Sequence, residues 1–244
     1  METWNLEQTR KSVELIYGRA QLQLAAPCLR SVIERQWYAF IHYQDFRKLV
    51  EAYLQVNAGH PPDTFLYWLA LDEGQEQFNE FIYRVGAQVT ACVQSLHAIP
   101  DILAHAVYFS IGLNLDNPIP ARDINADSVF KKLGRVPDAV ELQRVLGSFK
   151  DADAHLSALA NRAKHISVVL PSFSEDWTGL RAERHAVLLA SFEHRGAVYP
   201  EVIAKAFLQS ELSRITKLFT EAGIELNLML DRRGADHSDE LRCD

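Results

Sequence analysis

Cysteine is scarce. Cys28, Cys92 and Cys243 are far apart, odd in number and without CxxC spacing, which argues against a disulfide framework or a zinc knuckle. Long hydrophobic runs are missing too. No apolar stretch reaches the ~18–20 residues that cross a bilayer, and the longest candidate, 99–113, carries Pro100, Asp101 and His105. The opening segment from Met1 to Glu7 has neither the basic start nor the apolar core of a signal peptide. A basic excess is lacking as well: 25 Lys and Arg against 32 Asp and Glu leave a net charge of −7. That disfavours a generic duplex-DNA binder, which needs a positive field to displace counterions. No Walker A loop, GxGxxG, HExxH or GxSxG occurs. The expectation is a cytoplasmic chain with reduced thiols, no membrane or duplex-DNA partner, and no cofactor.

What is present is helical patterning. Leu6 to Ala26 is amphipathic, and Pro27 is expected to restart a helix that runs to about Val56, with Val32, Trp37, Phe40 and Ile41 as an apolar stripe. A break at Gly59 to Asp63 precedes a third helical run, Thr64 to Leu96, in which Phe78, Ile82, Val85, Val89, Val93 and Leu96 keep helical spacing. Pro100 starts or kinks a further helix to about Leu113. A loop over 114–127 follows, then helices near 128–133, 138–149 and 151–165. The pattern then changes period. Ile166 to Leu170 is β-branched, His185 to Phe192 is strand-like, and Glu193 to Gly196 turns the chain back into Ala197–Tyr199. Glu201 to Leu230 closes as a helix.

The fold class is therefore mainly α: an antiparallel long-helix bundle with a small two- or three-stranded antiparallel β insertion, about 166–200, before the last helix. One domain is expected over 1–230, because the insertion is too short for a core of its own. The polar residues 231–244 are expected to fray.

Two clusters can carry chemistry. Asn161, Arg162, Lys164 and His165 close a helix. Asn161 and His165 share a face, and the helix dipole favours an imidazolium in the last turn. Such a cluster can bind a phosphate and place an imidazole for proton transfer. The same residues equally read as a basic C-cap. The second cluster, His97, Asp101 and His105, would share one face of an unbroken helix in a register suited to a transition metal. Pro100 interrupts that register and only three ligands are in view, so no metal is assigned, and Asp101 reads better as structural. An Arg35–His42 spacing is within chance expectation, and the aromatics Trp4, Trp37, Tyr38, Tyr67 and Trp68 read as core or dimer interface.

The Leu96–Ala104 segment, with Asp101 before Leu-Ala, and the Asn161-x-x-Lys164-His165 helix end some sixty residues later together resemble HEPN-like (higher eukaryotes and prokaryotes nucleotide-binding) helical proteins of uncharacterised bacterial type. The resemblance covers roughly 75–230. It implies a helical bundle and a homodimer, with RNA or a nucleotide as partner and metal-independent ribonuclease-type chemistry. In that reading His165 is the acid/base, Arg162 or Lys164 stabilises the phosphorane, and Asp101, Asn161, Lys164 and His165 converge as a buried polar bracket. Ribonucleases of that family pair an arginine with a histidine further along the helix than here, where only two residues separate Arg162 from His165. The alternative function is a non-catalytic dimeric interaction or regulatory module.

Overall fold

The computed structural model describes residues 3–57, 72–151, 154–176 and 178–243. The Gly59–Asp63 break, the start of the helix expected at Thr64, Tyr67, Trp68 and Trp177 lie outside them. The elements are α1 (Leu6–Asn57), α2 (Asp72–Ser110), α3 (Ala126–Leu133), α4 (Val140–Asp151), α5 (Ala154–His165), β1 (Pro171–Glu175), β2 (His185–Leu189), β3 (Phe192–His194), β4 (Ala197–Tyr199), β5 (Val202–Ile203) and α6 (Ala204–Cys243). The fold is mainly helical, with a small antiparallel β element before the last helix. No helix among the described residues is long and apolar enough to cross a membrane.

The chain divides into two compact units, a division the sequence reading did not draw. One takes in the chain up to Gln36, Ala98–Ala154 and the chain from Ser213. The other takes in Trp37–His97 and His155–Leu212.

In the first unit, α1 is interrupted at Gly18 (φ 81°, ψ 171°), not at the expected Pro27, which lies inside helix. Glycine alone adopts that backbone readily. Near the start of α1, Thr9, fully buried, donates to Asn227 Oδ1 at 2.6 Å, and Asn227 Nδ2 donates to the Asn5 carbonyl at 2.9 Å. Gly223 does not interrupt α6. A Cβ there would collide with the Trp4 indole, so the glycine lets that ring lie against the helix. The short helix α3 starts on a reciprocal capping box between Asn125 and Ser128. Beyond Leu230 the chain does not fray as expected. It stays helical to Cys243, and Arg233 forks onto both Asp138 oxygens at 2.7 and 2.9 Å while its Nη1 donates to the Tyr17 hydroxyl and the Ile111 carbonyl. Burial works against the Arg233 charge, but its hydrogen bonds outweigh it, and the guanidinium holds the Asp138 carboxyl below its ordinary range.

In the second unit, the buried face of α1 is Ala39, Tyr43 and Phe46, whereas Trp37, Phe40 and Ile41 of the expected apolar stripe are exposed. The strands form a three-stranded antiparallel sheet in the order β1-β2-β5 and a separate β3-β4 hairpin. Arg195 and Gly196, both at positive φ, make the two-residue hairpin turn where the sequence expected one. The expected strand at Ile166–Leu170 is not formed. The first strand begins at Pro171 instead, where proline's missing N–H costs no ladder bond. Pro171 packs on Gly86 of α2, where a Cβ would approach it to 3.2 Å. Aromatic rings fasten the sheet: Phe173 of β1 meets Tyr53, Phe78 and Phe81 edge-on, and His185 stacks on it at 5.6 Å. Burial raises the Tyr53 phenol to about 12.

Candidate functional site

Helix α5 buries Leu156, Ala158, Leu159 and Ala160, which leaves Ser157, Asn161 and Lys164 on another side at helical spacing. Across from that side lies α2. Gln94 Nε2 donates to the Ala160 carbonyl at 3.0 Å, and His97 Nε2 lies 3.3 Å from Ser157 Oγ. Asn161 Nδ2 donates to the same Ser157 oxygen at 3.3 Å, and Lys164 Nζ reaches His97 Nδ1 at 3.5 Å. An ammonium only donates, so His97 Nδ1 accepts and Nε2 carries the hydrogen that goes to Ser157. Ser157 Oγ thus receives two donors. Its lone pairs are occupied and no base faces its proton among the described residues, so it reads as an anchor and not an activated nucleophile.

The basic residues of the last turn diverge. Arg162 turns to the hairpin: its Nη1 donates to the Glu193 carbonyl at 2.7 Å and its guanidinium lies 6.0 Å from the Phe192 ring. The helix end closes on the Arg162 carbonyl, which accepts from the backbone of Ile166 and Ser167 at 2.9 and 3.0 Å. Lys164 and His165 are exposed, and His165 has no hydrogen-bond partner among the described residues. The C-cap is therefore made by backbone, and Asn161 bonds Ser157 and not the residues that follow it.

The expected burial of the bracket is corrected by the structure: Asp101, Lys164 and His165 are all exposed. The Asp101 carboxylate accepts from the Ala126 N–H at 2.9 Å, adding a bond to the first turn of α3 beside the Asn125–Ser128 box, within the first unit. Asn161 and Lys164 meet His97 and Ser157 within the second. His105 Nδ1 lies 2.9 Å from the Asp101 carbonyl, a bond back to its own helix. Among the described residues no group of three or more His, Cys, Asp or Glu is placed to hold a metal ion. His42 of the Arg35–His42 spacing bonds Gln88 at 2.7 Å.

Two features escaped sequence reasoning. His155, at the start of α5, packs against Phe192, Tyr199 and Phe207. Burial lowers its pKa, opposed by Glu211, and its Nε2 has no hydrogen-bond partner among the described residues. A cavity of about 120 Å³ lies among Phe46, Val50, Leu54, Val187 and Ile203. Its rim carries two ion pairs, Arg47–Glu51 and Lys205–Glu183. The residues of both features come from distant parts of the chain and share no local spacing. Compared with known families, curated proteins and solved structures, the chain finds no match.

Proposed function

We propose that this HEPN-like chain binds the phosphate of a nucleotide or of single-stranded RNA at the end of α5, and cleaves RNA there without a metal. The observation that supports this is the free, exposed His165 beside Lys164, whose ammonium makes a single long contact to His97 and keeps donors for a ligand. In such a reaction His165 takes the proton of a ribose 2′-hydroxyl. The 2′-oxygen bonds to phosphorus, the bond to the 5′-oxygen breaks, and the departing oxygen is protonated from the imidazolium or water. Lys164 stabilises the added negative charge on the phosphorane. Arg162, whose guanidinium already serves Glu193, holds the hairpin against the helix and adds charge only at a distance. The acidic overall balance goes with a small local cationic site and against duplex DNA. A cytoplasmic, homodimeric protein with reduced thiols goes with this reading.

The test is cleavage of a labelled single-stranded RNA in the presence of EDTA. The wild type is expected to cut, and His165→Ala to lose at least a hundredfold in rate while Lys164→Ala weakens RNA binding. Equal cleavage by wild type and His165→Ala would end the catalytic assignment.

A second reading, a non-catalytic dimeric interaction module, is favoured by the exposed Trp37, Phe40 and Ile41 on one side of α1. Sedimentation of wild type against Phe40→Lys tests it: a monomer at 100 µM in both speaks against it.

A further inference from the structure

The cavity of about 120 Å³ between α1 and the sheet lies wholly in the second unit and is lined by described residues. Its inner end is apolar. Phe46, Ala186 and Val187 are buried there, with Val50 and Leu54 half-buried beside them. The volume is a little below the roughly 150 Å³ that holds a benzene ring, so it takes a branched chain of about four carbons. Charge is confined to the outer end. Arg47 pairs with Glu51 at 3.0 Å and Lys205 pairs with Glu183, and all four side chains are more than a third exposed. Ion pairs so exposed add little stability, so a ligand exchanges with them at small cost. Arg47 is also under-used. Its one hydrogen bond among the described residues runs from Nη2 to Glu51, and its Nε is buried without a partner. His185, another residue of the lining, has a buried Nδ1 in the same condition.

We propose that this cavity binds a free α-amino acid with a branched aliphatic side chain, of the size of leucine. Each end of the site selects one part of that ligand. The isobutyl group fills the apolar end, where its removal from water drives binding. A guanidinium only donates, so the spare N–H groups of Arg47 call for an acceptor, and a carboxylate is the acceptor that matches their geometry. A carboxylate alone would draw Arg47 away from Glu51 and leave that acid without its cation at the edge of an apolar space. The rim holds two cations and two acids, so a ligand of zero net charge preserves its balance. The α-ammonium supplies the cation that Glu51 and Glu183 then lack, while Arg47 and Lys205 hold the carboxylate. The site is separate from the end of α5, and the inference depends neither on ribonuclease chemistry nor on a dimer.

The experiment is isothermal titration of the full chain with L-leucine and with three probes that each lack one part of it. Isocaproate lacks the ammonium, isoamylamine lacks the carboxylate, and glycine lacks the side chain. L-leucine is expected to bind with a Kd of about 1 mM or tighter, and each of the three at least about tenfold more weakly. Arg47→Gln removes the fork for the carboxylate, and Glu183→Gln, at a more exposed position, removes an acceptor charge for the ammonium. Both are expected to keep the melting temperature and to weaken L-leucine about tenfold. Should Arg47→Gln disturb folding, Glu183→Gln decides alone. Three results overturn the proposal: no heat from L-leucine at about 10 mM, a probe that binds as tightly as L-leucine, or an L-leucine affinity that a folded rim variant leaves unchanged.

Discussion

His155 shows what a single side chain does when burial, not a partner, sets its state. Its ring fills a box of Phe192, Tyr199 and Phe207, and burial holds its folded pKa below the ordinary 6.5. The unfolded chain therefore takes up a proton first as pH falls. Stability from this residue is present above about pH 6.5 and is lost as pH drops below it. The urea midpoint of the wild type is expected to fall between pH 7.5 and 5.5, and His155→Phe should lose much of that slope. An unchanged slope would mean that other histidines carry it. Arg162 complements this. Because its guanidinium already bonds Glu193 and lies near Phe192, a charge that looks catalytic in the sequence is spent on fastening a hairpin.

Among the elements, α1 owes its break to one residue. Gly18 takes a backbone open almost only to glycine, and no atom lies within 4 Å of where a Cβ would be. The cost of a side chain there is thus conformational, not steric. Gly18→Ala is expected to destabilise by about 1–3 kcal/mol, measured by urea denaturation. A neutral result would show that the helix can straighten. Helix α3 has a different origin. Its eight residues are too few to hold a helix unaided, so the Asn125–Ser128 box and the Asp101 carboxylate bond its first turn.

At the scale of the molecule, the first unit is closed by contacts between residues far apart in the chain. Arg233 bonds Asp138, Tyr17 and the Ile111 carbonyl, so the end of α6 belongs to the packed structure. Removing everything after Leu230 is expected to lower the melting temperature by several degrees, and Arg233→Ala to reproduce part of that loss. The ion pair is partly exposed, 23% at Arg233 and 35% at Asp138, so solvent screening limits the single substitution to about 1 kcal/mol. The low folded pKa of Asp138 gives the sign with pH. Its contribution is complete above the ordinary carboxyl pKa of 3.8 and disappears as pH falls through the lower folded value. A truncated chain that melts with the wild type would mean that the Arg233 contacts add nothing.

Local pattern was enough to determine the mainly helical class, the Arg195–Gly196 turn and the β element before the last helix, but not the break at Gly18 or the helix beyond Leu230. Periodicity and turn chemistry act over a few residues and leave their mark in order along the chain. Pattern also brought forward Asn161, Lys164 and His165. It did not reveal that His97 and Ser157 are the partners of the first two, that Asp101 serves α3, or that Trp37 and Phe40 face solvent. Those depend on which helix face meets which neighbour, and an apolar stripe reads alike whether or not something covers it. The strand expected at 166–170, which is not formed, is the sharpest case. Its residues prefer extended backbone, but a strand exists only when another lies beside it, and pairing is settled by tertiary structure, not by propensity.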